Sequence, residues 1–234
     1  MVRIVLDAGH GLGTPGKQSP AGEKEWLFNN RVLLAAQTAL LQYENVEVVR
    51  VDDPSGMADI PLRQRTDRAN AQQADLYISF HHNANTGSWG DWGGVETYTM
   101  DARNANPESV RLARLIQPEI VKAMGLRDRG VKKKNLHVLR ETRMPAVLME
   151  GGFMDSRTDI AALRNSQKLQ AQGRAAASAI AAYFGLVLTP QNQKPLGSSA
   201  YRLVTGTFSS RDSAEKAAEL IKAAHGWTVY VKEE

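Results

Sequence analysis

The 234-residue chain has no cysteine, which excludes disulfides, thiolate metal sites and a cysteine nucleophile. Any metal must therefore be held by carboxylates and by some of only five histidines. No apolar run approaches the length of a membrane span, so insertion into a bilayer is not expected. Nor does the start resemble a cleaved leader: Met1 runs straight into an apolar strand, with no charged region or small-residue cleavage site. The expectation is a product made in the cytoplasm that reaches its site of action by another route. Aromatic residues are few, at 6%. The hydrophobic share of 42% against 23% charged is that of an ordinary globular protein.

Charge is modest overall, at +4, but uneven. Between Arg127 and Arg143 stand Arg127, Arg129, Lys132, Lys133, Lys134, Arg140 and Arg143 against only Asp128 and Glu141. A basic loop of this kind favours a polyanion, either nucleic acid or an anionic cell-wall polymer. Nucleic acid is not the expected partner, because the C-terminal strands lack the exposed aromatics on which bases stack.

The chain is organised around its first eleven residues. Ile4, Val5 and Leu6 read as a buried strand, and Asp7-Ala8-Gly9-His10-Gly11 turns the backbone sharply and presents His10 at the strand's carboxyl end. Leu12 to Gly22 is a loop, Glu25 to Tyr43 a helix, Val46 to Val51 a strand, and about Leu62 to Ala74 a helix. Asp75 to His81 is a third strand, ending in His81-His82-Asn83. Adjacent side chains on a strand point to opposite faces, so only one of His81 and His82 aims where His10 aims. Val95 to Met100 is a strand and Pro107 to Met124 a helix that Pro118 should kink or split. Leu136 to Leu139 and Pro145 to Met149 read as strands, the latter delivering Glu150 into a glycine turn. An alanine-rich helix from about Ile160 to Phe184 closes the unit.

Strands alternating with helices predict an α/β fold, an open, mostly parallel twisted sheet with helices on both faces. Residues 1–186 form the large domain, 187–200 a polar, proline-bearing linker, and 201–234 a small βαβ module with strands at Tyr201 to Phe208 and Trp227 to Val231 around a helix at Asp212 to Ala224.

His10, Glu23, His81 and Glu150 fall at loop edges of one sheet. Two histidines and one carboxylate make a recurrent zinc set that leaves a position open for water, and a fourth, unbound carboxylate completes hydrolytic machinery. The residues are far apart in sequence, so the pattern alone is weak.

Four segments then carry a resemblance: Leu6-Asp7-Ala8-Gly9-His10-Gly11, Glu23-Lys24-Glu25, Ser79-Phe80-His81-His82-Asn83, and Met144 through Glu150-Gly151-Gly152-Phe153. Over about residues 2 to 185 the sequence resembles the zinc-dependent N-acetylmuramoyl-L-alanine amidases, in particular phage endolysins and sporulation autolysins. The resemblance implies one Zn2+ held by His10, Glu23 and His81, with Glu150 as the catalytic group. It implies peptidoglycan as substrate, cut between N-acetylmuramic acid and L-alanine. A swap of the ligand role between Glu23 and Glu25 stays open, as does whether His82 competes as a ligand or faces the helices. Asn83 and Arg140 are candidates for binding stem-peptide carboxylates, and Trp89 and Trp92 for stacking on sugar. His137 and His225 are read as structural.

The tail resembles half of a SPOR domain, a peptidoglycan-binding module. Thirty-odd residues are too few to close a core alone, so pairing of two chains into a homodimer through this module is expected. A compact enzyme with one short wall-binding tail tilts the expected role towards a (pro)phage endolysin over a sporulation autolysin. A zinc exopeptidase is the rival enzyme reading, and a wall-binding adaptor the non-enzymatic one.

Overall fold

The computed structural model describes residues 1–101, 105–190 and 210–225, with the side chains of the last helix described to residue 219. The chain divides into two compact units, Met1–Gln193 and Lys194–Glu234. In the first, β1 (Val2–Ala8), α1 (Glu25–Leu40), β2 (Val46–Arg50), α2 (Leu62–Ala71), β3 (Leu76–Asn83), β4 (Val95–Thr99), α3 (Pro107–Met124), β5 (Asp128–Lys133), α4 (His137–Arg140), β6 (Ala146–Phe153), α5 (Ile160–Leu163) and α6 (Ser166–Phe184) follow in order. The second contains α7 (Arg211–His225), where the sequence predicts a helix. The two strands expected around it, the linker from residue 191 on and the pairing of chains through this module lie outside the described residues.

Six strands form one sheet in the order β2-β1-β3-β6-β4-β5. The first four are parallel; β4 runs antiparallel to β6, and β5 is parallel to β4. The period of two along each strand assigns the two faces. Ile4, Leu6 and Ala8 of β1, Ile78 and Phe80 of β3 and Val147 and Met149 of β6 pack on α1, α3 and α6. Val5, Tyr77, Ala146 and Leu148 turn the other way, onto Ala69 of α2 and Val138 and Leu139 of α4. Helices thus cover both faces, as an open α/β sheet requires. Among the described residues no helix is long and apolar enough to cross a membrane.

Three features depart from the sequence expectation. Leu136 to Leu139 is not a strand: His137–Arg140 forms one helical turn, because Val138 and Leu139 both reach the core, which adjacent residues of a half-covered strand cannot do. Part of the basic stretch is not a loop but the edge strand β5, whose lysines suit a sheet edge that must resist pairing with other chains. The alanine-rich helix is two helices. Asn165 breaks it, its side chain accepting hydrogen bonds from the backbone N–H groups of Gln167 and Lys168 as the cap of α6.

Pro118, by contrast, does not split α3, which runs unbroken from Pro107 to Met124. Pro118 and Arg114, the residue whose carbonyl loses its donor, both face solvent, where water replaces the missing bond.

α6 crosses α1 at Gly173, where an added Cβ would stand 2.3 Å from the Val32 carbonyl oxygen and 2.8 Å from the Ala35 Cβ. Neither backbone nor a helix-borne methyl can yield cheaply. Gly173→Ala should therefore lower stability by about 1–3 kcal/mol through overpacking, even though alanine is the better helix former by about 1 kcal/mol. Urea denaturation of the two proteins checks this, and a more stable variant would show that the helices separate freely.

Candidate active site

β1 ends in a turn that holds His10 at φ +68, a left-handed conformation that costs a residue with a side chain about 1–3 kcal/mol. A buried arginine from α2 holds it there. Arg65, 1% exposed, donates through Nη1 to Asp7 Oδ1 (2.6 Å) and the Ala8 carbonyl (2.8 Å) and through Nη2 to the His10 carbonyl (2.9 Å) and Asp59 Oδ1 (3.0 Å). Tyr77 and Ser79 hydroxyls donate to the other Asp7 oxygen at 2.9 Å each. Gly9 is needed here for room, since a Cβ on it would lie 2.0–2.5 Å from the His81 ring.

His81 stands at the end of β3, opposite Glu150 of β6 in the parallel register. Glu25 opens α1 and is 3% exposed. Its Oε1 lies 3.0 Å from His81 Nδ1, and its Oε2 lies 3.3 Å from His10 Nε2. The two imidazole rings meet edge to face, with centroids 4.9 Å apart. One ligand atom from each of His10, Glu25 and His81 falls within 4.8 Å of the others.

Burial opposes the charge on Glu25, but the hydrogen bond and charge of His81, and the charge of His10, hold its carboxyl below the usual range. His81 is raised in return: burial would lower it, and the Glu25 contact outweighs burial. His10 is pushed down to about 4, chiefly by burial. Glu150 is pushed up to about 8 by burial, with His81 pulling against the shift and the Glu25 and Glu96 carboxylates adding to it.

Of the residues singled out from sequence, His10, His81 and Glu150 come together, and Asn83 stands beside them, its Nδ2 donating to Glu96 Oε1 at 2.8 Å. Glu23 does not join them. It lies in the loop before α1, bound by Arg164 Nε and Nη2 at 2.5 and 3.1 Å and by the Ser19 hydroxyl. Glu25 takes the place beside the histidines. The signal was in the helix: Glu25, Asn29, Val32 and Ala36 repeat at helical spacing and are all buried, so a helix starting at Glu25 must aim that carboxylate inward.

His82 faces the helices. Its Nδ1 donates to Asn29 Oδ1 (2.8 Å), and Asn29 Nδ2 donates in turn to Glu25 Oε1 (3.3 Å) and the Gly9 carbonyl (3.1 Å). Arg140 is engaged with Glu141 and Asn135 on the surface. His137 contacts Thr66 between α4 and α2, while the side chain of His225 lies outside the described residues. Trp92 donates to Asp155 Oδ1 at 2.8 Å, and Trp89 packs against the core with Arg164 over its ring. The loop after β3 is pinned by the same Asp155, whose Oδ2 accepts from the backbone of Asn85, Thr86 and Gly87 at 2.8–2.9 Å.

Two imidazoles and a carboxylate, with a further carboxyl one strand away, match the donor set of a hydrolytic zinc site. The Amidase_3 family model, N-acetylmuramoyl-L-alanine amidase, matches residues 4–182. This chain belongs to that family. Among its Amidase_3 relatives, the N-acetylmuramoyl-L-alanine amidase CwlM of Bacillus licheniformis is 36% identical over 188 residues, covering 80% of this chain and 70% of that protein. The sporulation-specific N-acetylmuramoyl-L-alanine amidase of Bacillus subtilis is 32% identical over 226 residues, covering 95% of this chain and 82% of that one. Among solved structures, the catalytic domain of the amidase CwlV from Bacillus (Paenibacillus) polymyxa superimposes with a TM-score of 0.69 at 32% identity, over 80% of this chain and 100% of that domain. An amidase of this family acts on the peptidoglycan of the cell wall.

The Arg65–Asp7 pair sits under the His10 turn with both side chains at most 2% exposed. Arg65→Met, which leaves Asp7 buried without its cation, should cost about 3–5 kcal/mol. The double change Arg65→Met with Asp7→Leu should cost less than Arg65→Met alone. Chemical denaturation of the three proteins tests the pairing, and an additive double mutant would contradict it.

Proposed function

We propose that this amidase cleaves the bond between the lactyl group of N-acetylmuramic acid and L-alanine, with one zinc ion held by His10, Glu25 and His81 and with Glu150 as the general acid and base. The observation that carries this reading is the convergence of His10, Glu25 and His81 next to a buried carboxyl on the adjoining strand. A zinc ion there would polarise the amide carbonyl and make water more acidic.

The chain's own residues supply the rest. In its ionised form Glu150 accepts the proton of the attacking water on a carboxylate oxygen and returns it to the nitrogen of the leaving L-alanine. One of its oxygens, Oε2, is buried with no hydrogen-bond partner among the described residues, leaving that atom uncommitted. Asn29 and the backbone N–H of His82, both donating to Glu25 Oε1, orient that carboxylate between the histidines. Arg65 fixes the backbone from which His10 projects.

The biological role that fits best is that of a sporulation autolysin rather than the endolysin expected from sequence alone. The similarity to the sporulation-specific relative covers 95% of this chain and so runs on past Gln193 into the second unit. A transcript that rises only as the mother cell approaches lysis supports this; one that appears only on prophage induction refutes it.

Two experiments test the chemistry. Metal content after overnight dialysis should fall from one equivalent of zinc to near none in Glu25→Ala and stay near one in Glu23→Ala. The reverse result would move the ligand role to Glu23. In a digest of Gram-positive peptidoglycan, the wild type should release new L-alanine amino termini without new reducing sugars. Chelation should abolish the release, and Glu150→Gln should lower its rate by about 10²–10⁴-fold while retaining metal. New termini at other residues would make the enzyme a peptidase.

A further inference from the structure

Beyond the hydrolytic centre, the sheet carries one row of ionisable side chains on a single face. His81 of β3 pairs in register with Glu150 of β6, and Glu150 pairs with Glu96 of β4. Register partners point the same way, so the row runs His81, Glu150, Glu96 across three adjacent strands. Glu96 is 1% exposed, and it is over-supplied with donors. Arg129 Nε of β5 donates to its Oε2 at 2.7 Å, Lys132 Nζ donates to the same oxygen, and Tyr98 Oη (2.6 Å) and Asn83 Nδ2 (2.8 Å) donate to Oε1.

Two cations share one carboxylate oxygen, which leaves a local excess of one positive charge. Both cations keep a way out to solvent, with Arg129 28% and Lys132 36% exposed. Arg129 is also fixed by its guanidinium lying 4.9 Å from the centre of the Phe153 ring. A third cation, Lys134, lies over the Tyr98 ring at 5.4 Å. The edge strand β5 thus ends the row in a positive cluster held in place by Glu96, with donors left over for another anion.

The strand spacing supplies a ruler. The charged groups of Arg129 and Lys132 both reach over to the Glu96 carboxylate on β4, one strand spacing from Glu150, and so stand about 7 Å from Glu150. An extended peptide advances about 3.3–3.6 Å per residue. A chain whose first carbonyl is attacked at Glu150 and which runs along the row therefore brings the carboxyl group of its second residue to the cations. Building on the amidase reading above, we propose that Arg129 and Lys132 form a carboxylate subsite for the stem peptide, reading the free α-carboxyl group of its second residue, a glutamate linked through its side chain. The subsite makes the enzyme discriminate between stems that carry this carboxylate and stems in which it is a carboxamide.

The test uses the full-length zinc-loaded protein and two soluble muramyl pentapeptides that differ only in this group, acid or amide. The wild type should show a kcat/KM about tenfold or more higher on the acid. Arg129→Gln and Lys132→Gln should each bring that ratio close to one, with the loss on the acid appearing in KM and not in kcat. Arg129→Lys should restore part of the ratio. Metal content and melting temperature, measured on each protein, identify any variant that has lost its fold. Lys132→Gln, the more exposed change, and the wild-type ratio itself stand independently of Arg129. Equal wild-type activity on the two substrates would overturn the subsite. So would variants that lose activity on both in the same proportion, which would make the cluster a brace for β5. A wild type that holds zinc yet cleaves neither substrate would instead refute the amidase reading, and the subsite with it.

Discussion

One buried carboxylate organises the catalytic end of this molecule. Glu25 sits almost out of reach of water at the first position of α1, and an unpaired charge in such a place would cost several kcal/mol. The neighbourhood answers that cost from every side. His10 and His81 each face one of its oxygens, and Asn29 and the backbone of His82 add donors. Because those partners come from β1, β3 and α1, satisfying this one group fixes how the three elements meet. Behind it Arg65 does the same for Asp7 and for the turn that carries His10. Satisfying the buried polar groups thus ties the three elements to one arrangement.

Much of this was legible in the residues. Short apolar runs in β1, β3 and β6, with glycines beside His10 and Glu150, announced strands that deliver His10, His81 and Glu150 to one edge. The approximate span of α3 was also readable, although its unbroken passage through Pro118 was not. What was not legible depends on tertiary partners. Glu23 and Glu25 are two residues apart in similar company, and their difference shows only when the buried helical spacing of Asn29, Val32 and Ala36 is carried back to Glu25. Val138 and Leu139 look like strand residues until the helical turn places both in the core between the sheet and α2. β5 hides in a run of cations because an edge strand needs little apolar surface. Asn165 caps α6 in the middle of what reads as one long helix.

The sheet's only reversal has a chemical side. The parallel strands β1, β3 and β6 lead to His10, His81 and Glu150, and the antiparallel β4 then brings Glu96 beside Glu150 from the opposite chain direction. The antiparallel register sets Glu96 directly opposite Glu150, so the two carboxyl groups stand side by side on one face.

Asp155 gives the opening its character. By binding three successive backbone N–H groups and the Trp92 indole with one carboxylate, it turns the loop after β3 into a fixed lip. An enzyme that engulfs a small molecule gains from a loop that folds over its guest. A cross-linked sheet of wall polymer is far larger than the protein and cannot be wrapped in that way. For such a substrate a stiff, pre-shaped edge is the better instrument: it meets a solid surface as a blade does, with the cutting geometry set before contact and nothing left to rearrange between one bond and the next.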